Sequence, residues 1–446
     1  MAKKKKNSIP STRDEFNSRF GFIIACIGSA VGMANIWLFP YRIGQLGGAA
    51  FLIPYILFVV IIGFSGVIGE MAFGRAMGTG PLGAFRKAME QRGKKYGEWI
   101  GLIPVIGSLG IGIGYAVVIG WILRFLAGSF SGSLLNTADS GQYFGEIAGS
   151  LGSWPWHIIG LAITFVIMSL GVSKGIEKVN KVMMPAFFIL FIILALRVLT
   201  LEGAMEGYRY LFIPKWTYLL DPKTWVYALG QAFFSLSLAG SGTVVYGSYL
   251  RKDEDVVYAA KNVAFFDTCA GLLAALVIIP AVFAFGLNPA AGPPLMFITM
   301  PEVFKQMPLG QLFAIIFFVA VFFAGLTSLI NLFETPIEAL QEKFKLSRRN
   351  AVAAIALVAV CIGLLIENGD VVSIWMDVVS IYVIPLGALL SGFMFFWVCK
   401  GKFAREQVQM GRKKPLGKWF EPMTKYVFCG LTVIVYILGI LYGGIG

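Results

Sequence analysis

Five acidic side chains fall inside the long apolar stretches of this 446-residue chain: Glu70, Asp267, Glu334, Glu338 and Asp377. A charge at the centre of a membrane helix costs roughly 2.5–3.5 kcal/mol, so each needs a reason to be there. Asp267 is the most informative. A buried carboxylate needs a cation or a proton beside it, and no basic residue is an obvious partner within its own stretch. Glu70 is suited to accept from freed backbone amides, either as a staple between helices or in transport. Glu334 and Glu338 sit one turn apart near the end of their stretch and read as a solvated face. The first apolar stretch carries no charge of this kind but has an unusual middle. Gly28, Ser29, Gly32 and Ala34 have almost no side chain, and an amide, Asn35, follows at once. Glycine lets the backbone leave the helix. Carbonyls and amides released at bilayer depth are tolerated only where they line a cavity or bind something. A second interruption, Ser237-Leu238-Ala239-Gly240-Ser241-Gly242, lies about half a chain further on. Two interrupted spans in matching positions of two halves point to a midplane binding site in a secondary transporter.

The elements that must position these groups follow from hydropathy. The chain is 57% hydrophobic and 14% charged, against roughly 25% charged in soluble domains, so it reads as a polytopic membrane protein. Eleven apolar stretches fall near 20–43, 50–73, 99–126, 156–171, 182–201, 225–249, 256–286, 309–340, 351–366, 371–398 and 426–442. Most basic residues sit in alternate loops: Arg86 to Lys95, Lys174 to Lys181, Arg251 and Lys252, Lys343 to Arg349, and Lys400 to Lys418. The opposite loop from Ser129 to Trp156 has none. This positive-inside pattern predicts a cytoplasmic N-terminus, which the odd span count turns into an extracellular C-terminus in the plasma membrane. It also argues against nucleic acid as the reason for the net charge of +13. The basic start, Lys3 to Lys6, lacks a following cleavage site and reads as a cytoplasmic tail rather than a removed signal.

The predicted organisation is a cytoplasmic segment (1–19), five spans (20–201), an extracellular loop (202–224), five more spans (225–398), a basic cytoplasmic loop (399–424) and an eleventh span (425–446). Cys26, Cys269, Cys361, Cys399 and Cys429 are scattered, an odd count that forms no disulfide or metal framework. The sole histidine, His157, lies next to Trp154 and Trp156 at a membrane boundary and reads as interfacial.

The runs Arg19-Phe20-Gly21, Ser29-Ala30-Val31-Gly32 and Asn35-Ile36-Trp37-Leu38-Phe39-Pro40-Tyr41 resemble the first helix of the neurotransmitter:sodium symporter family, in particular its bacterial leucine-transporter branch. Similar runs begin at Gly47, Gly171, Gly230 and Phe322, in family order along nearly the whole chain. The resemblance implies an all-α fold of eleven transmembrane helices, with a 5+5 inverted repeat and unwound first and sixth spans. It implies a sodium-coupled symporter of neutral, apolar or aromatic L-amino acids, with two sodium sites. One sodium site would use Ala30, Asn35, Ser235, Asp267 and the substrate carboxylate; the other would use Gly28, Val31, Ala324, Thr327 and Ser328. Substrate would lie against Ala30, Gly32 and Ala34, with Tyr115 on its carboxylate and Phe234 as an inner lid. Ser235, Ile111, Ser237, Gly240, Ser328 and Leu332 complete the implied pocket. The inner gate would pair Arg13 with Glu342, near Phe16, Ser248 and Tyr249.

Three departures from the family pattern carry expectations. Leu38 replaces the usual outer-gate arginine, so Arg42, four residues on, is expected to pair with Asp377. Asp267 replaces the usual asparagine, and Gly271 stands where chloride-dependent relatives have serine, so transport is expected not to require chloride. A proton is expected to return to Asp267 once sodium leaves. The chain also ends after its eleventh span, where many relatives have a twelfth, which leaves any dimer contact built on that helix in doubt. Gly175 and Pro185, ten residues apart, mark the start of the fifth span as a stretch able to unwind. Other function classes are weaker. A non-transporting amino-acid sensor would usually carry an added signalling domain, and an intramembrane enzyme would need a catalytic dyad or metal motif. A channel would not need two gates about one site.

Overall fold

A computed structural model describes residues 15–238, 241–290 and 295–444. The regular elements among the described residues are all helices, and eight of them are long and apolar enough to cross a membrane. They are Ala49–Met77, Gly97–Ser131, Val172–Leu199, Val256–Ala284, Gly310–Phe344, Arg348–Leu365, Gly369–Val398 and Phe420–Tyr442. The bent pair Arg19–Ala30 and Ala34–Gln45, the shorter apolar helix Trp154–Ser169, and the pair Pro222–Ser235 and Gly242–Ser248 account for the remaining apolar stretches. They are numbered below as spans one to eleven in chain order.

Polar side chains set several helix starts by accepting from otherwise unpaired first-turn amides. Ser18 accepts from Gly21 N at the first span, Asp255 from Val257 N and Tyr258 N at the seventh, and Asn368 from Asp370 N and Val371 N at the tenth. The third span runs on to Ser131, and Gly132, at φ 77°, ends it in the left-handed conformation that glycine adopts without strain. The loops are more ordered than composition alone suggests. The Ser129–Pro155 region holds helices Ser133–Asn136 and Ser140–Ile147, and the loop before the sixth span holds Ala204–Phe212. The basic loop after the tenth span begins with the amphipathic helix Gly401–Gln409.

The third and eighth spans pack along each other as the principal pair of the core. The first span packs on the fifth, seventh and eighth. The second half of the sixth span packs on the second and eighth. Both broken spans are therefore enclosed by helices rather than by lipid, the setting in which irregular backbone is tolerated.

Two sequence readings are corrected here. Glu334 and Glu338 are not a solvated face: they are 0% and 4% exposed. The eighth span extends four residues beyond the apolar stretch to Phe344, and both carboxylates turn inward to partners on other elements. His157 is not interfacial but buried, with Nδ1 3.3 Å from Glu367 Oε2. Glu367 also accepts from Ser153 N and Oγ, so a carboxylate from the loop between the ninth and tenth spans draws the imidazole inward. All five cysteines are unpaired.

Candidate functional site

The first span breaks where its residues lose their side chains. Its helix stops at Ala30 and resumes at Ala34 after a 50° bend. Two amides leave the helical ladder at the break. Gly32 N donates to Asn35 Oδ1 at 3.0 Å, and Met33 N donates to the Tyr115 hydroxyl at 2.6 Å. In a continuous helix these amides would serve the carbonyls of Gly28 and Ser29, four residues back. The Ser29 carbonyl instead accepts from Ser237 Oγ at 2.7 Å. The sixth span is interrupted opposite. Its first helix ends at Ser235 and its second begins at Gly242, with Ser237 and Ser241 both at φ 54°. Positive φ costs energy for residues other than glycine and is characteristic of binding sites.

Asn35, Ser235 and Asp267 meet between these breaks. Asn35 Nδ2 donates to Asp267 Oδ1 at 2.8 Å, and Ser235 Oγ donates to Asp267 Oδ2 at 2.6 Å. All three are 0% exposed. The chemistry of this set suits a hard monovalent cation, which prefers carboxylate, amide and hydroxyl oxygens. A second group of oxygens gathers where the first span touches the eighth. A Cβ built on Gly28 would lie 3.2 Å from Thr327 Cβ, and one on Gly32 would lie 2.9 Å from Ser328 Oγ. Thr327 Oγ1 gives its proton to carbonyls of its own helix, Phe323 and Ala324 at 3.1 Å, which leaves its lone pairs for a cation.

Beside these groups lies a cavity of about 30 Å³ lined by Ala30, Gly32, Ala34, Ile111, Tyr115, Phe234, Ser237, Ser328, Leu332 and Ile384. This space holds a water or two, so the walls must part before anything larger fits. Nine of these ten lining residues are among those expected from sequence. Ile384 was missed, because it follows a π-helical turn of the tenth span, Val379–Val383, which shifts the face that span presents. Gly240 lies outside the described residues.

The residues expected at the gates lie toward the two ends of the spans. Arg42 donates to Gln45 Oε1 at 3.0 Å and lies over the Tyr227 ring at 4.0 Å. No ion pair or hydrogen bond among the described residues joins it to Asp377, which is exposed. At the opposite end, Arg13 lies outside the described residues. Glu342 accepts from Arg86 Nη2 at 2.6 Å and from Thr79. Phe16 packs edge-on against Phe22, Tyr246 and Tyr249. Ser248 is buried and donates to the Val245 carbonyl. Another connection at this end involves a residue that sequence reasoning missed. Arg348 forms a two-pronged pair with Glu334, at 2.8 Å on each prong, and Tyr249 donates to Glu334 Oε1 at 2.7 Å. Glu338 accepts from Gly80 N at 2.8 Å, and Glu70 from the Thr243 hydroxyl at the start of the second half of the sixth span. The start of the fifth span is wound, as a π-helical turn Val172–Glu177 leading into Lys178–Leu199.

This geometry has close counterparts. The model of the sodium:neurotransmitter symporter family matches residues 13–146 and 142–442. An uncharacterized sodium-dependent transporter of Bacillus subtilis, YhdH, is 41% identical over 323 residues, 72% of this chain and 71% of its own length. Another, MJ1319 of Methanocaldococcus jannaschii, is 31% identical over 457 residues, 95% of this chain and 90% of its own. The crystal structure of MhsT in complex with L-phenylalanine superposes with a TM-score of 0.85 at 34% identity, covering 96% of this chain and all of that one. The leucine-transporter architecture that the resemblance implies is thus the architecture of this multi-pass membrane protein, and the chain belongs to the sodium:neurotransmitter symporter family.

Proposed function

We propose that this sodium-dependent transporter is a symporter of neutral, apolar or aromatic L-amino acids that works by alternating access around the midplane cavity. The observation that carries the reading is the meeting of Asn35, Ser235 and Asp267 beside a cavity whose lining includes Gly32, Tyr115 and Phe234. In this reading sodium is a co-substrate held at two places. The first set is Asn35, Ser235 and Asp267 with the Ala30 carbonyl and the amino-acid carboxylate. The second is the carbonyls of Gly28, Val31 and Ala324 with the hydroxyls of Thr327 and Ser328. The freed backbone at the first-span break and the Tyr115 hydroxyl receive the substrate carboxylate. Ile111, Leu332 and Ile384 supply an apolar wall, in keeping with the phenylalanine in the MhsT complex.

The positive-inside pattern supports a cytoplasmic N-terminus and an extracellular C-terminus. The Arg348–Glu334–Tyr249 cluster then lies on the cytoplasmic side and seals it, while Arg42 and Asp377 stand apart on the outer side. Asp267 supplies a fixed negative charge beside sodium, so chloride is not required. One sodium ion entering down a 100 mV potential yields about 2.3 kcal/mol, enough to concentrate substrate roughly fiftyfold.

The deciding experiment is uptake of radiolabelled phenylalanine and leucine into proteoliposomes under an imposed sodium gradient. Accumulation that collapses when potassium replaces sodium, and persists when gluconate replaces chloride, is expected. Binding without accumulation would overturn the reading in favour of a sensor.

A further inference from the structure

Asn180, on the fifth span, is 0% exposed. Its Nδ2 donates to the Ile176 carbonyl at 2.8 Å, which fixes the orientation of the amide because a carbonyl needs a donor. The other end, Oδ1, is therefore an acceptor, and it is buried without a hydrogen-bond partner. Buried polar atoms are nearly always satisfied, so an orphan of this kind asks for an explanation. A Cβ built on Gly28 would lie 1.9 Å from Asn180 Oδ1 and 3.2 Å from Thr327 Cβ. The oxygen thus lies against the glycine of the first-span break, on the side where that glycine meets the threonine of the eighth span.

We propose that Asn180 contributes its side-chain oxygen to the second sodium site and ties the ion there to the start of the fifth span. The proposal rests on the two-site reading above. An amide oxygen is a hard, neutral ligand of the kind sodium takes. Gly28 has no side chain because the amide oxygen occupies the place where one would stand.

The location of Asn180 gives the tie a consequence. It lies midway between Gly175 and Pro185. Pro185 has no amide to offer the Lys181 carbonyl, so the ladder is already weak there. The same stretch borders a cavity of about 500 Å³ lined by Asn17, Ser173, Lys174, Glu177, Lys178 and Lys181, among others. An ion held by Gly28, Thr327 and Asn180 keeps this stretch wound against the first span. Its departure leaves Oδ1 unmatched and frees the stretch to open toward the cavity. By reciprocity, unwinding weakens sodium by the factor with which sodium resists unwinding.

The test is hydrogen exchange on the full-length protein in nanodiscs, titrated with sodium against potassium and without substrate. In the wild type, sodium should slow exchange across residues 172–181. Asn180→Ala should raise the half-saturating sodium concentration for that protection by about tenfold or more, leaving protection around Asn35 in place, and Asn180→Asp should restore it. Wild-type protection and titration in Asn180→Ala, together with a shift in Thr327→Ala, overturn this proposal alone. No shift in either variant overturns the two-site reading and this proposal with it.

Discussion

Asn35 Nδ2 donates both to Asp267 Oδ1, at 2.8 Å, and to the Asp267 backbone carbonyl, at 3.0 Å, across 232 positions of sequence. This double contact locks the amide so that its oxygen points back into the first-span break, where it accepts from Gly32 N. The break and the carboxylate are therefore one unit. Moving the seventh span would move the backbone that faces the cavity.

Asp267→Asn keeps the shape of this unit and removes its charge. Contacts to a charged group are worth about 1.5–3 kcal/mol. The half-saturating sodium concentration for amino-acid binding should rise by roughly ten- to a hundredfold, measured by scintillation proximity binding across a sodium titration.

Gly32→Ala places a methyl group 2.9 Å from Ser328 Oγ and 3.0 Å from the Tyr115 hydroxyl. The cavity has no slack to absorb it. Amino-acid binding should fall at least tenfold while the variant stays folded, as judged by its elution profile and thermal unfolding in detergent.

Arg348→Ala strands Glu334, which is 0% exposed, with only the Tyr249 hydroxyl as its described partner. Removing one partner of a buried ion pair costs about 3–5 kcal/mol. The variant should unfold at markedly lower temperature, and adding Glu334→Gln to it should recover much of the loss. Equal stability of single and double variants would show that the pair is not the source.

Glu302 lies outside the membrane spans on the short helix Met300–Gln306. Burial alone pushes its carboxyl up, but hydrogen bonds from Lys305 and Ser140 outweigh that and hold it below the usual range. A carboxyl lowered on folding stabilises the fold above its unfolded value, roughly 4.3, and this contribution is lost as pH falls through the folded value. The contact between this helix and Ser140–Ile147 should therefore loosen at low pH in the wild type. Glu302→Gln should show no such acid step, read by hydrogen exchange of residues 140–147.

Legibility in the sequence followed the range of the cause. Hydropathy and small residues act locally, so the spans and the broken first helix could be read at once, and the family motifs supplied nine of the residues that line the cavity. Partners brought together by packing were invisible. Arg348 lies in the next helix after Glu334, and Glu367 meets His157 across 210 positions. Neither sits at a spacing that periodicity detects. The surroundings of Arg42 were equally out of reach: a shared helical face places a guanidinium in a direction, but its contacts with the rings of Tyr41 and Tyr227 come from packing.

The eighth span runs unbroken from Gly310 to Phe344. At 1.5 Å per residue, Ser328 and Glu342 are held about 21 Å apart on one rod. That rod works as a fixed ruler between the bilayer midplane and one membrane face. News of what is bound at its middle cannot reach its end by stretching; it must pass by the neighbouring helices pivoting about a keel that stays the same length.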